Sequence, residues 1–155
     1  MEPSSQELEP DLVKALRQRR AELRESMNAL EQALAAPTPE GRARWVQRVH
    51  VALVELSADF REHIEITEGP EGLYLELGRT APRLSDPVHR LTQEHTLIGG
   101  RLEELLVRAG AADAADEVEE VRALGTELLG TLVRHRQRGA DLVFEAFEVD
   151  IGGET

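Results

Sequence analysis

The sequence predicts an all-α protein that folds as one four-helix bundle with up-down-up-down topology. Hydrophobic residues make up 41% of the 155 residues while aromatic residues make up only 3%, a balance that favours helices. Four long stretches repeat apolar residues at alternating spacings of three and four, which is the period of a buried helical seam. Because four amphipathic helices can close one core, these stretches predict a bundle.

The first helix is expected over residues 11–35. Pro10 suits the first turn, where its missing N–H costs nothing, and the polar residues 1–10 are expected to form a flexible N-terminus. Arg20 interrupts an otherwise apolar seam, and we expect its side chain to turn towards the interior and not out to solvent. The apolar members of this seam are Leu12, Leu16, Leu23, Met27, Leu30 and Leu34.

The second helix is expected over residues 40–68, after a turn that contains Pro37, Pro39 and Gly41. Its seam ends on a histidine, and its members are Trp45, Val49, Leu53, Leu56, Phe60 and His63. The glycines and prolines that follow predict an irregular connection over residues 73–84, which carries the only tyrosine, Tyr74.

The third and fourth helices are expected over residues 86–109 and 113–149. The third seam contains His95 and the fourth contains His135, each between aliphatic residues. Residues 150–155 are expected to form a flexible C-terminal tail. The bundle domain therefore spans residues 11–149.

The charge balance of the chain excludes several classes of partner. Thirty acidic residues against eighteen basic ones give a formal net charge of −12, which repels phosphate backbones and anionic lipids. No stretch approaches the apolar length of a membrane span, and the N-terminus lacks the pattern of a signal peptide. We therefore expect a cytoplasmic protein with no nucleic-acid or membrane partner. The absence of cysteine excludes disulfides and thiolate ligands.

The placement of the histidines is the strongest functional signal. Three of the five lie on the seams of three different helices: His63, His95 and His135. Inward-pointing side chains on facing helices form the metal sites of bundles, and neutral imidazole binds iron, copper or zinc. The alternative is a set of core histidines, each satisfied by one hydrogen bond. The two other histidines lie off the seams and are expected at the surface: His50 and His89.

Three segments of the sequence resemble the hemerythrin-like, or HHE cation-binding, domain family. They are HIEITEGPEGLYLEL from His63, RLTQEHTLIGGRLEEL around His95 and LVRHRQRGADLVFEAF around His135, and the closing VDIGG is similar to the end of one bacterial subgroup. The resemblance covers roughly residues 12–150. It implies a four-helix bundle whose helices contribute a histidine, a His-x-x-x-Glu pair, a third histidine and a second His-x-x-x-Glu pair to a non-haem di-iron centre.

The chain departs from the family pattern at three positions. Arg20 stands where the first histidine of the family would fall, Thr67 stands four residues after His63, and Gly139 stands four residues after His135. Both bridging carboxylates are thus missing from their expected places. Because two cations held close together need anionic bridges, these departures favour one metal ion over two.

The resemblance and its departures together define a candidate site. The expected metal ligands are His63, Glu68, His95 and His135, and the expected neighbours of a bound cofactor are Arg20 and Thr67. The function predicted is that of a hemerythrin-like binding protein that holds one non-haem iron, with zinc as the alternative ion, or a small anion. No catalytic residue is identified, and an enzyme is not expected.

Two further alternatives bear on this site. The alternative function is a metal-free acidic helical scaffold or protein-interaction module, and the missing carboxylates are its strongest support. The basic run at residues 134–138 is expected to be a solvated helix face, although Arg138, three residues after His135, is close enough in sequence to approach the site. The motifs of ferritin-like di-iron proteins and of zinc proteases, Glu-x-x-His and His-Glu-x-x-His, do not occur at these histidines.

Overall fold

The computed structural model describes residues 7–38 and 41–152, and within these ranges the chain is helical with no strand. The prediction of an all-α protein with four long helices is confirmed. The helices are α1 (Pro10–Ala35), α2 (Arg42–Glu68), α3 (Leu73–Thr80), α4 (Ser85–Ala111) and α5 (Ala115–Phe147), with a short 3-10 helix over Pro82–Leu84. None of the described helices is long and apolar enough to cross a membrane.

The observed helix ends follow from local chemistry. Pro10 occupies the first turn of α1, where no helical N–H is needed. At the start of α5 the Glu117 carboxylate accepts hydrogen bonds from the backbone N–H groups of Asp113 (3.2 Å) and Ala114 (2.9 Å), which satisfies two otherwise unpaired donors. After α5, Glu148 adopts a left-handed conformation with φ 57°. The long helices therefore begin and end within a few residues of the predicted bounds.

The connection predicted as irregular over residues 73–84 is mostly helical, so that prediction is wrong. Leu73 and Leu77 lie one helical turn apart and are buried, and burial of this apolar pair outweighs the turn-forming glycines nearby. The helix begins directly after Gly72, where an added Cβ would lie 2.7 Å from the Ile66 carbonyl oxygen. Gly72 thus allows the close approach of two backbones that starts α3.

The four long helices share one interior. Helix α1 packs against α2 and α5, and α4 packs against the same two helices, while α3 contacts α2 and α4. Buried apolar side chains form two clusters in this interior. The first core cluster includes Leu23, Leu30, Leu53, Phe60, Ile98 and Leu132. The second core cluster includes Leu16, Leu73, Leu77, Leu91, Leu142 and Ile151.

A layer of buried polar side chains lies where one core cluster gives way to the other. We call this the polar layer, and its members are Arg20, His63, Thr67, His95, His135 and Arg136, all at most 7% exposed. On α1, Arg20 separates Leu16 of the second cluster from Leu23 of the first. On α4, His95 occupies the same position between Leu91 and Ile98. The polar layer therefore crosses the whole interior at one level.

The chain beyond α5 is not helical, yet part of it belongs to the core. Ile151 is buried in the second core cluster, and the Arg17 guanidinium donates to the Asp150 carbonyl oxygen (2.6 Å from Nη2). Flexibility of the two termini stays a prediction. Residues 1–6 and 153–155, together with Pro39 and residue 40 of the predicted turn and helix start, lie outside the described residues.

Candidate metal centre

Three imidazole rings from three helices meet in the polar layer. His63 comes from α2, His95 from α4 and His135 from α5, and one ring nitrogen of each lies within 4.8 Å of the others. The Nε2 atoms of His63 and His135 are 3.1 Å apart. Phe60 packs against all three rings, with centroid distances of 5.7, 5.7 and 6.4 Å. These three buried histidines could together hold a metal ion.

Two carboxylates orient two of the three rings. Glu94 lies 2.7 Å from His135 Nδ1, and Glu68 hydrogen-bonds to His95 Nδ1. Because an ionised carboxylate only accepts hydrogen bonds, each Nδ1 must carry the proton, and each Nε2 then offers a lone pair. His95 Nε2 is buried and has no hydrogen-bond partner among the described residues. Both rings are therefore held in the tautomer that binds a metal through Nε2.

Burial keeps the three imidazoles neutral. Desolvation lowers the pKa of His135 to about 4, although Glu94 acts in the opposite direction. Desolvation likewise lowers the pKa of His95, against the effect of Glu68. The pKa of His63 falls well below its usual value, first through burial and then through the neighbouring histidines and arginines. Neutral imidazole is the form that binds metals, so the three rings could bind a metal ion at neutral pH without first losing a proton to solvent.

Glu94 is itself fixed by a surface residue. Arg138 donates to its second carboxylate oxygen at 2.7 Å. Burial raises the pKa of Glu94, but the hydrogen bonds and charges of His135 and Arg138 together have a larger effect in the opposite direction. The pKa therefore lies below its ordinary value. Glu94 therefore stays ionised at neutral pH. The approach of Arg138 to the site, left open by the sequence, occurs through this carboxylate.

Arg20 and Arg136 join α1 to α5 inside the polar layer. Arg20 Nη1 donates to the Arg136 carbonyl oxygen (3.4 Å), and Arg136 Nη2 donates to the Arg20 carbonyl oxygen (3.3 Å). Both side chains are nearly fully buried. Arg20 thus points inward, as expected from its seam position. Arg136 was not expected in the interior, because the residue next to a seam position normally lies about 100° round the helix.

A cavity of about 20 Å³ lies between the histidines and the second core cluster. A cavity of this size holds roughly one water-sized particle. Its polar lining comes from Arg19, Arg20, His63, Thr67, Tyr74 and His135, and its apolar lining from Leu16, Ile66, Leu73, Leu91, Leu142 and Ile151, with Gly139 between them. An added Cβ at Gly139 would meet no atom within 4 Å. The cavity thus lies beside Thr67 and Gly139.

The structure also places the other residues that the sequence analysis named: Thr67, Glu68, His50 and His89. Thr67 donates its hydroxyl to the His63 carbonyl oxygen at 2.8 Å, and its side chain also hydrogen-bonds with Tyr74 of α3. Glu68, predicted as a direct metal ligand, instead contacts His95 at Nδ1, on the side of the ring opposite Nε2. This contact suits a residue that orients the imidazole of His95, and direct metal binding by Glu68 stays a prediction. His50 and His89 are exposed, as their off-seam positions predict.

Three residues near the site were not singled out from the sequence. Glu94 directly precedes the seam residue His95, and Arg136 directly follows His135, so both escaped a search limited to seam positions. Tyr74 lies in the connection that the sequence predicted as irregular, and its ring stacks on His95 with a centroid distance of 5.9 Å. A search for acidic residues next to each seam histidine would have found Glu94.

Comparisons with protein-family models, with curated proteins and with solved structures give no match for this chain. The function is therefore inferred from the geometry of the polar layer.

Proposed function

We propose that this protein is a hemerythrin-like four-helix bundle, with up-down-up-down topology, that binds a single metal ion in its interior. The ion is non-haem iron, with zinc as the alternative, and its ligands are the Nε2 atoms of His63, His95 and His135. The arrangement of the helices supports the bundle, since each long helix packs against two others. The convergence of three imidazoles from three helices supports the site, because bundles form metal sites in this way.

The single observation that carries the proposal is the buried Nε2 of His95, which has no hydrogen-bond partner among the described residues. Leaving a buried acceptor unsatisfied costs about 1–3 kcal/mol. A metal ion would satisfy this atom together with the Nε2 atoms of His63 and His135. Those two atoms are 3.1 Å apart, close to the roughly 3.3 Å expected between two imidazole ligands of a tetrahedral zinc ion.

The carboxylates favour one ion over two. Glu68 and Glu94 stand behind His95 and His135, in the carboxylate–histidine–metal arrangement that raises ligand basicity. The positions that would hold bridging carboxylates carry Thr67 and Gly139, neither of which can bridge two cations.

A metal-free acidic scaffold or interaction module is the second candidate. The specific observation in its favour is the His63–His135 contact, because one imidazole can donate to the other without any ion. Under that alternative the polar layer is a hydrogen-bonded core. The same interior would then bind iron and zinc no better than the protein surface does.

Elemental analysis and calorimetric titration decide between the two candidates. We expect Fe(II), added without oxygen, and Zn(II) each to bind at one ion per chain at neutral pH. His95→Ala should weaken binding at least a hundredfold, because it removes one of three ligands. His89→Ala, which removes an exposed histidine from the same helix, is the matched control and should leave the affinity unchanged. No binding of either ion to the wild type would refute the proposal and favour the scaffold.

A further inference from the structure

A row of uncharged side chains runs along the outer face of α5, on the side of the helix opposite His135. Its members follow spacings of three and four residues, which keep them on one face of the helix. Val133 is 58% exposed and Phe144 is 57% exposed, and contiguous exposed apolar surface marks an interaction site. We call this row the outer stripe. Its members, all exposed or half-buried, are Ala123, Thr126, Gly130, Val133, Gln137, Ala140 and Phe144.

A groove between α1 and α5 continues the outer stripe. The groove has a volume of about 530 Å³, and Thr126, Gly130 and Val133 of the stripe line its α5 side. Leu34 and Leu129, which are otherwise buried, line it as well. The same face therefore offers a projecting valine and a partly apolar recess, which are the two halves of a self-complementary contact.

The charges beside the outer stripe balance, although the chain as a whole has a net charge of −12. Glu31 and Arg122 line the groove. Glu127 and Arg134 flank the stripe on its other side, at about 100–120° round the helix from Val133. Two acidic and two basic side chains thus surround the stripe. This face adds no local repulsion when two copies of the chain meet through it.

The flanking pair favours an antiparallel arrangement of two α5 helices. Glu127 and Arg134 are seven residues apart and lie on the same edge of the helix. A two-fold axis near residues 131–132 reverses the second helix, so each Glu127 comes beside Arg134 of the other copy. Parallel helices in register would instead place like charges together. The antiparallel register also sets Val133 of each copy opposite Gly130 of the other.

The present contacts of the flanking pair are weak. Arg134 folds along its own helix, with Nη2 3.4 Å from the Thr131 hydroxyl and Nη1 3.5 Å from the position of a Cβ added at Gly130. Glu127 is 64% exposed and lies 3.8 Å from Arg101, at the long limit of an ion pair. Because exposed pairs of this kind contribute little, both side chains can turn to a second copy. Movement of Arg134 would also uncover Gly130.

We propose that the outer stripe is the interface of a symmetric homodimer, in which α5 of one copy packs antiparallel against α5 of the other. A two-fold interface uses the same patch on both copies, as the balanced charges and the paired valine and recess require. The stripe spans three heptads, about 33 Å of helix, which is the shortest length that sustains such a seam. The dimer goes beyond the proposed function and does not depend on a bound metal.

Sedimentation equilibrium of the full chain with EDTA, from about 2 to about 200 µM, tests the dimer in the concentration range where modest interfaces dissociate. We expect the wild type to dimerise within this range. Val133→Glu should raise the dimer Kd at least tenfold, because it buries a charge in an apolar contact. Val107→Glu changes a valine on α4 that is 73% exposed and should leave the Kd unchanged. A wild type that stays monomeric at 200 µM overturns the proposal and leaves this face to a different protein; an unchanged Kd in Val133→Glu overturns the assigned surface.

A charge exchange tests the antiparallel arrangement. Glu127→Arg and Arg134→Glu each place like charges opposite one another at two symmetric positions, and each should raise the dimer Kd at least fivefold. The double variant Glu127→Arg/Arg134→Glu restores opposite charges and should return the Kd to within twofold of the wild type. A double variant that dimerises no better than the single variants overturns the antiparallel pairing. If Val133→Glu does not fold, this exchange at two exposed positions decides alone.

Discussion

His63 Nε2 lies 3.1 Å from His135 Nε2, although the two residues are 72 positions apart and belong to different helices. The contact has a fixed direction in the metal-free protein. His135 carries its proton on Nδ1 and donates a hydrogen bond from there to Glu94. His135 Nε2 therefore accepts a hydrogen bond, and His63 Nε2 donates it. A metal ion would take the place of that shared proton, and His63 would change tautomer.

The tautomers can be measured in the metal-free protein. We predict that His95 and His135 carry the proton on Nδ1 and that His63 carries it on Nε2, because each Nδ1 of the first pair faces a carboxylate. Long-range ¹H–¹⁵N NMR correlations of the imidazole rings distinguish the two forms. The exposed ring of His89 serves as the reference. An Nε2-protonated form at His95 or His135 would contradict the assigned roles of Glu68 and Glu94.

Stability of the metal-free protein should fall as the solution becomes acidic. The pKa values of His63, His95 and His135 lie below 6.5 in the folded protein, so the unfolded chain binds more protons below that pH. The histidines therefore make their full contribution to stability above pH 6.5, and the free energy of unfolding decreases as the pH falls towards 4. Each histidine contributes up to about 1.4 kcal/mol per pH unit within this window.

Urea unfolding with chelator present, at pH 7.5, 6.5, 5.5 and 5.0, measures this dependence. His135→Asn should reduce the slope, because it removes one of the groups that titrate in the unfolded state alone. His89→Ala should keep the wild-type slope. A free energy of unfolding that does not change between pH 7 and pH 5 would show that the interior histidines are not held neutral.

Much of the polar layer could be predicted from helical periodicity alone. The alternation of three and four residues places Arg20, His63, His95 and His135 on four seams, and the structure buries all four. The sequence could not show which helix face meets which neighbour. Glu94 lies about 100° from the seam on α4, and it reaches His135 only because α4 packs against α5 on that side.

The short helix α3 was missed for a different reason. Gly72 and Gly78 predict turns when only local preference is considered, but Leu73 and Leu77 bury their side chains against the second core cluster. That cluster also contains Leu16 of α1 and Leu142 of α5, which are far from Leu73 in the sequence. The stacking of Tyr74 on His95 follows from the same helix, so it too was beyond a local interpretation of the sequence.

Glu94 should strengthen metal binding without touching the ion. Loss of a carboxylate that orients a metal-binding histidine typically reduces affinity by about 10–100-fold, so we expect Glu94→Ala to raise the Kd for Zn(II) by that factor. Glu103→Ala removes an exposed carboxylate from the same helix and should have no effect. Calorimetric titration measures both. An unchanged Kd in Glu94→Ala would mean that His135 does not depend on this partner.

Chelator should destabilise the metal-loaded protein. A ligand that binds only the folded state stabilises it by mass action, by about 2.7 kcal/mol when its free concentration is 100 times its Kd. The wild type should therefore lose several degrees of melting temperature when EDTA is added. His63→Ala, His95→Ala and His135→Ala should show little further loss, since their sites are already impaired. Four melting temperatures that do not respond to chelator would favour the metal-free scaffold.

X-ray absorption at the zinc edge tests the central claim most directly, because it reports the ligands of the bound ion. For the protein loaded with one equivalent of Zn(II), we predict three imidazole nitrogens at about 2.0–2.1 Å, with the outer-shell scattering of histidine rings, and one further oxygen or nitrogen ligand. His95→Ala should lose one of these rings. A spectrum without imidazole scattering, with zinc bound only by carboxylate or water oxygens, would contradict the account.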